Sequence, residues 1–192
     1  MSTQPSRKPP EFFSLQVRQA RRFYLDLAPP PDSPLAVVCG GYELCAADYE
    51  IHRATFPYYS VEIVARGKGS LVLGGERFSL FPGAAFSYGP DVAQDITTDS
   101  SAPLHKYFVD FTGLRALELL QQYGLEPASF ARVSAPGEIQ GVFDGLIRDG
   151  LKGTGFSASL GAALLEYLIV KVADSRMPWK ARQTPAFATY TQ

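Results

Sequence analysis

The run from Leu104 to Phe111 carries Lys106, Phe108 and Asp110 at every second position. In an extended strand that spacing puts a cation, an aromatic ring and a carboxylate on one face. Such a set can stack on a small polar molecule and pair with its hydroxyl or charged groups. The plainer alternatives are core packing for Phe108 and an outward pair between Lys106 and Asp110. Glu62 and Tyr88 are further candidates, with Tyr58 beside them, but they lie on strands whose inward face the sequence leaves open. A register error of one residue would invert every such choice. A carboxylate aimed into a pocket is also the usual general base, so Glu62 or Asp110 could serve a metal-free isomerase or lyase. The chain holds two His, His52 and His105, and two Cys, Cys39 and Cys45. That supply is too small for a disulfide scaffold or a zinc site, and the cysteines read as buried thiols.

Strands must position these groups. Between Leu35 and Phe111, short runs rich in Val, Ile, Tyr and Phe alternate with Gly and Pro punctuation. The spacing predicts antiparallel strands at 35–39, 42–45, 49–53, 58–66, 69–73, 76–80, 85–88, 94–98 and 104–111. Gly74-Gly75 and Arg66-Gly67-Lys68-Gly69 supply the positive φ angles of tight hairpins. A meander this dense is expected to close into a barrel, because closure removes exposed edges.

After Gly113 the period becomes helical, with Leu114, Leu117, Leu120 and Tyr123 on one stripe and Ile139, Val142, Phe143, Leu146 and Ile147 on another. A last helix is expected from a Ser157 or Ser159 N-cap to Asp174. It presents Leu160, Leu164, Tyr167 and Leu168 beside Leu165, Ile169 and Val172. A helix apolar over more than one face buries one face elsewhere, and a second copy of the chain is the simplest partner. The four residues Leu160, Leu164, Tyr167 and Leu168 are therefore the candidate dimer contacts; full burial inside one chain is the alternative.

Residues 1–34 mix prolines and basic residues with Phe12, Phe13, Val17, Phe23 and Tyr24, and read as an arm that docks on something. The proline cluster from Pro29 to Pro34 closes the arm, residues 35–112 form the β domain, and 113–176 form the helical region. Pro178 and Pro185 make 177–192 a linker. A net charge of −1 gives no basic surface for nucleic acid. No apolar run approaches a membrane span or a secretory signal, so a cytoplasmic protein is expected.

Residues 53–113 resemble the ligand-binding domain of AraC-type transcription regulators. The resemblance rests on Arg53, the strand ending Arg66-Gly67-Lys68-Gly69, the Pro82-Gly83 turn, Gly89-Pro90-Asp91 and the aromatic strand Phe108 to Phe111. It implies a cupin-like antiparallel β-barrel, or jelly roll, followed by about three helices. It also implies a small-molecule effector, a sugar or related polar metabolite, and a homodimer. Family members carry two helix-turn-helix motifs after the linker, and this sequence stops at Gln192 before either. The expectation is a sensor half that touches DNA only through domains outside this sequence.

The same resemblance tests the enzyme reading. Cupin enzymes hold a metal through two His, a Glu and a later His; here the Glu position falls on Ser60 and the late His on Gln94. The paired His positions fall on Arg53 or Ala54 and on Thr55 or Phe56. These side chains do not make a metal cage, so no metal, no cofactor and no catalytic residue is expected. Arg53 and Gln94 join the ligand-binding candidates instead. A guanidinium fork suits a carboxylate, phosphate or vicinal hydroxyl pair, and an amide both donates and accepts. A surface ion pair and a satisfied internal amide are their alternatives. A free-standing cupin binding protein or isomerase is the competing function.

Overall fold

The structure, a computed structural model, describes residue 10 and residues 12–177. Its elements are β1 (Val17–Tyr24), β2 (Ala36–Cys45), β3 (Glu50–Arg53), β4 (Tyr59–Arg66), β5 (Gly69–Leu73), β6 (Glu76–Leu80), β7 (Ala84–Tyr88), β8 (Gln94–Thr98) and β9 (His105–Thr112). Then follow α1 (Ala116–Gln122), β10 (Ser129–Val133), α2 (Pro136–Lys152), α3 (Ser157–Asp174) and the two-residue β11 (Arg176–Met177). The expected linker lies, apart from Met177, outside the described residues.

Two antiparallel sheets result. The larger has the order β1-β2-β9-β4-β7-β10-β11 and the smaller β3-β8-β5-β6. They pack face to face as a jelly roll and do not join into one closed hydrogen-bonded barrel. Inward residues of both, such as Val64, Phe86 and Tyr88 against Leu71, Leu73 and Ile96, share one core cluster. The opposite face of the larger sheet carries α2 and α3, where Val61, Ile63, Val109 and Phe111 meet Phe143, Leu165 and Ile169. Strand β9 is thus buried on both faces, and its six central residues are all buried, Lys106 and Asp110 among them.

Gly40 and Gly41 do not divide two strands; they sit inside the continuous β2. A Cβ on Gly40 would lie 2.9 Å from the Phe108 carbonyl oxygen, and one on Gly41 2.5 Å from that of Arg21. These glycines serve close approach within a sheet, not a turn. By contrast Gly74 and Gly75 have φ of 57° and 88° and make the β5–β6 hairpin as expected.

The second half of the expected arm is an edge strand, β1, paired with β2 from Val17 to Tyr24. Its exposed Arg18, Gln19, Ala20 and Arg21 give no alternation to read, as befits an edge guarded by charge. Phe23 alone turns fully inward, against Gly40 and against Gly150 of α2. A Cβ on Gly150 would fall 2.3 Å from the Phe23 ring. In an ordinary helix interior Gly→Ala stabilises by roughly 1 kcal/mol. Here Gly150→Ala is expected to destabilise by roughly 1–3 kcal/mol through overpacking, read by urea unfolding. A gain in stability would show that Phe23 repacks freely.

Helix α1 begins at Ala116, and it buries Ala116, Leu119 and Leu120. Leu114 and Leu117 of the predicted stripe are 72% and 39% exposed, because the short helix starts later and is turned from the predicted phase. Helix α3 has Phe156 at its N-cap; Ser157 is its first residue, and its hydroxyl accepts from Thr154 N and donates to Asp149 O. Strand β10 was not foreseen in sequence; it extends the larger sheet by pairing with β7. Among the described residues no helix is long and apolar enough to cross a membrane.

Candidate functional site

The inward faces of β2, β3, β4, β7, β8 and β9 enclose one polar pocket between the sheets. Its floor is a charged network. Lys106 of β9 donates to Glu62 Oε2 at 2.8 Å and lies 3.2 Å from Glu43 Oε2. Glu43 is held in turn by Arg22 of β1 at 2.7 Å, and Glu62 accepts from the Tyr88 hydroxyl at 2.6 Å. All but Arg22 are at least 95% buried. Two cations and two carboxylates balance, as burial requires. Burial works against the Lys106 cation, yet Glu43 and Glu62 outweigh it and raise its pKa well above the usual lysine range. Burial likewise opposes the Glu43 carboxylate, and Lys106 with Arg22 reverses that, holding it below its ordinary value.

Four residues beyond Lys106 on β9, Asp110 accepts from Ser60 Oγ at 2.7 Å and from Cys39 Sγ at 3.2 Å. Burial dominates here and pushes the Asp110 carboxyl up to about 7 against these two donors. Phe108 stands between, with the Lys106 ammonium 5.2 Å from its ring centre. Lys106 and Asp110 therefore do not pair with one another on the outside. Cys39 and Cys45 are both buried free thiols, as expected.

Arg53 stands at the mouth, half-buried. Its guanidinium lies 5.0 Å over the Phe56 ring and donates to the carbonyl of Phe12. Among the described residues no carboxylate pairs with it. Directly opposite, at the paired β8 position, is Gln94, 1% exposed, with neither amide atom hydrogen-bonded among the described residues. Six of the seven predicted residues, Arg53, Glu62, Tyr88, Lys106, Phe108 and Asp110, line the pocket, and Gln94 shares the inward face of its neighbour Ile96. Sequence reasoning missed Glu43, Tyr49 and Arg22, and it missed the plug. Phe12 and Phe13 enter the pocket from the N-terminal segment. Phe13 packs on Phe108 at 5.6 Å and beneath Arg22, whose guanidinium also donates to the Ser14 carbonyl at 3.2 Å. The free volume left is about 20 Å³, room for about one water molecule.

The residues at the cupin metal positions do not fit a metal. The Ser60 hydroxyl is engaged with Asp110, Gln94 is a neutral amide, and Arg53 is a cation at the mouth. Among the described residues no group of three or more His, Cys, Asp or Glu is placed to hold one.

A jelly roll with a charged interior pocket and helices on its outer face defines a cupin-like domain. The model of the AraC-like ligand binding domain family matches residues 37–169, and the chain belongs to that family. No curated protein sequence matches it. Solved structures similar to it include the plu4264 protein of Photorhabdus luminescens, at 14% identity and TM-score 0.41, over 65% of this chain and 99% of that one. The Cupin_2 domain of an XRE family transcriptional regulator from Enterobacter cloacae shows 14% identity and TM-score 0.37, over 48% of this chain and 93% of that one. A salicylate 1,2-dioxygenase variant from Pseudoaminobacter salicylatoxidans shows 18% identity and TM-score 0.35, over 40% of this chain and 21% of that one.

On α3 the four predicted dimer contacts divide. Leu168 is fully buried in its own chain's core and Leu164 is half-buried against it. Both face α2 and the larger sheet, so the predicted stripe is shifted around the helix. Leu160 and Tyr167 face outward, 44% and 52% exposed.

Proposed function

We propose that the chain is the effector-sensing domain of a cytoplasmic AraC-type transcription regulator, binding a small polar metabolite of sugar size and not acting as an enzyme. The observation that carries this reading is the pocket itself: buried, ionic and aromatic, and closed by two rings from the N-terminal segment. A ligand of sugar size exceeds the free volume, so its entry moves Phe12 and Phe13 and breaks the contacts that Arg22 and Arg53 make with that segment. Occupancy of the pocket is thereby coupled to the position of the chain's N-terminus, which is the differential contact a sensor needs. The competing enzyme reading has less support, because Glu62 is committed to Lys106 and Tyr88 and Asp110 to Ser60 and Cys39.

A thermal-shift screen of sugars, sugar acids and small metabolites tests this. A true effector stabilises by about 2.7 kcal/mol at a hundredfold excess over its Kd. The same compound should change proteolytic cleavage ahead of Val17. A broad library without one stabilising member would overturn the reading.

The regulator is further proposed to be a homodimer through α3. Phe156, Leu160, Ala163, Tyr167 and Val170 are all exposed and follow the 4-3-4-3 spacing of a two-helix seam. A second copy presents the same stripe and can bury it mutually. Light scattering at high micromolar concentration is expected to report a dimer, and Leu160→Glu or Tyr167→Glu a monomer of unchanged melting temperature. A monomeric unmodified chain would remove this proposal and leave the sensing one standing.

A further inference from the structure

We propose that the effector is a hydroxy acid, whose carboxylate is clamped between Arg53 at the pocket mouth and Gln94, buried at the paired position of β8. This rests on the sensing function proposed above and names the chemistry of its ligand. Arg53 and Gln94 are direct cross-strand partners on the inward face of the smaller sheet, where opposite Cβ atoms stand about 4.5–5.5 Å apart. That spacing lets both side chains reach one small group.

Charge and hydrogen bonding select the group. Inside the pocket, Lys106 and Arg22 are matched by Glu43 and Glu62, so those four cancel. The Arg53 cation has no carboxylate partner: among the described residues it has only the Phe12 carbonyl and the face of Phe56. Both are contacts of a waiting guanidinium, and its remaining N–H donors fit a carboxylate in a bidentate pair. Gln94 is the second, independent observation. A buried amide with neither atom bonded is costly to the fold, and such exceptions call for a functional explanation. A carboxylate oxygen accepts from Gln94 Nε2, but it cannot satisfy Oε1, which needs a donor. A hydroxyl next to the carboxylate supplies that donor. A 2-hydroxy carboxylate thus answers Arg53, Gln94 Nε2 and Gln94 Oε1 together, and further hydroxyls can reach Glu62 and Asp110 deeper in. A neutral sugar leaves the Arg53 charge unmatched.

The test compares matched pairs on the intact chain by thermal shift and calorimetry: D-gluconate with D-glucose, D-galactonate with D-galactose, L-arabinonate with L-arabinose. At least one acid is expected to bind roughly tenfold to hundredfold tighter than its neutral partner, the range of a charge-assisted hydrogen bond. Arg53→Met should abolish that preference. Gln94→Leu carries a signature that a purely structural residue would not show: it should raise the melting temperature of the free protein by a few degrees, by removing unsatisfied buried polar atoms, while weakening the acid. If a neutral sugar binds as well as its acid and Arg53→Met leaves both unchanged, the hydroxy-acid assignment falls and the sensing function stands. If ligands without a 2-hydroxy carboxylate bind but none of the three acids does, the assignment also falls. If Gln94→Leu lowers the melting temperature of the free protein, its amide is structural and the clamp is wrong.

Discussion

Lys106→Met is expected to cost the fold about 3–5 kcal/mol, because it removes the one cation shared by two buried carboxylates. For a chain of this size that is a fall of roughly 6–20 °C in melting temperature. Methionine matches the lysine stem in length, so the loss is electrostatic and not a cavity. Glu43 keeps Arg22 at 2.7 Å, but Glu62 is left with only the Tyr88 hydroxyl. The companion variant decides the cause. Lys106→Met with Glu62→Gln removes the stranded charge and keeps an acceptor for Tyr88, and it should recover at least half of the loss. Such recovery is the mark of an uncompensated buried charge, since pairs replaced together are often nearly neutral. A single variant that melts within about 1 kcal/mol of the unmodified chain would contradict the closed network.

How much of this was legible in the sequence follows from what each residue leaves in the pattern. Strands β3 to β9 were readable because Gly and Pro mark their ends, and Lys106, Phe108 and Asp110 were readable because β9 has a strict period of two. Their inward direction was not, since β9 is covered on both faces and its alternation separates two interiors instead of inside from outside. Arg53 and Gln94 came from motif position, and their direct opposition came only with the β3–β8 register.

Glu43 and Arg22 left no signal. Glu43 lies in a strand that the Gly40-Gly41 pair divides in the sequence pattern, and Arg22 lies in an edge strand with three arginines, any of which reads as solvated charge. The pairing of β1 with β2 and the packing of Phe23 against Gly150 show that this strand belongs to the domain. The plug was foreshadowed by an apolar Phe12-Phe13 in a polar segment, but what it docks on depends on contacts some 95 residues away in sequence, as with Phe13 on Phe108. On α3, the sequence showed more apolar surface than one face could use; which of Leu160, Leu164, Tyr167 and Leu168 turn outward depends on helix rotation, which α2 sets.

The stability of the chain is expected to fall as pH rises from about 4 to about 7, and Asp110→Asn is expected to flatten that fall. Asp110 is fully enclosed among Ser60, Cys39, Phe108 and the nearby Glu62–Lys106 pair. Its carboxyl is shifted from 3.8 up to about 7, chiefly by burial, with the Glu62 charge adding to it and the Ser60 and Cys39 donors opposing. A raised pKa means that the folded state binds the proton more tightly than the unfolded state does. The stabilisation is therefore fully present below pH 4, declines through the interval and is gone above pH 7. At 1.36 kcal/mol per pH unit the full swing is at most about 4 kcal/mol, or roughly 8–16 °C in melting temperature. Glu43 acts in the opposite sense: its lowered pKa contributes stability above its ordinary value near 4.5, lost on further acidification. The two together place the most stable pH near 4. Asparagine at position 110 cannot ionise and still accepts from Ser60, so it should equal the unmodified chain near pH 4 and melt several degrees above it at pH 8. His52 and His105 titrate in both proteins and cancel in the comparison. Melting curves of the pair from pH 4 to pH 8 are the measurement, and a constant difference across that range would mean that Asp110 does not change its charge there.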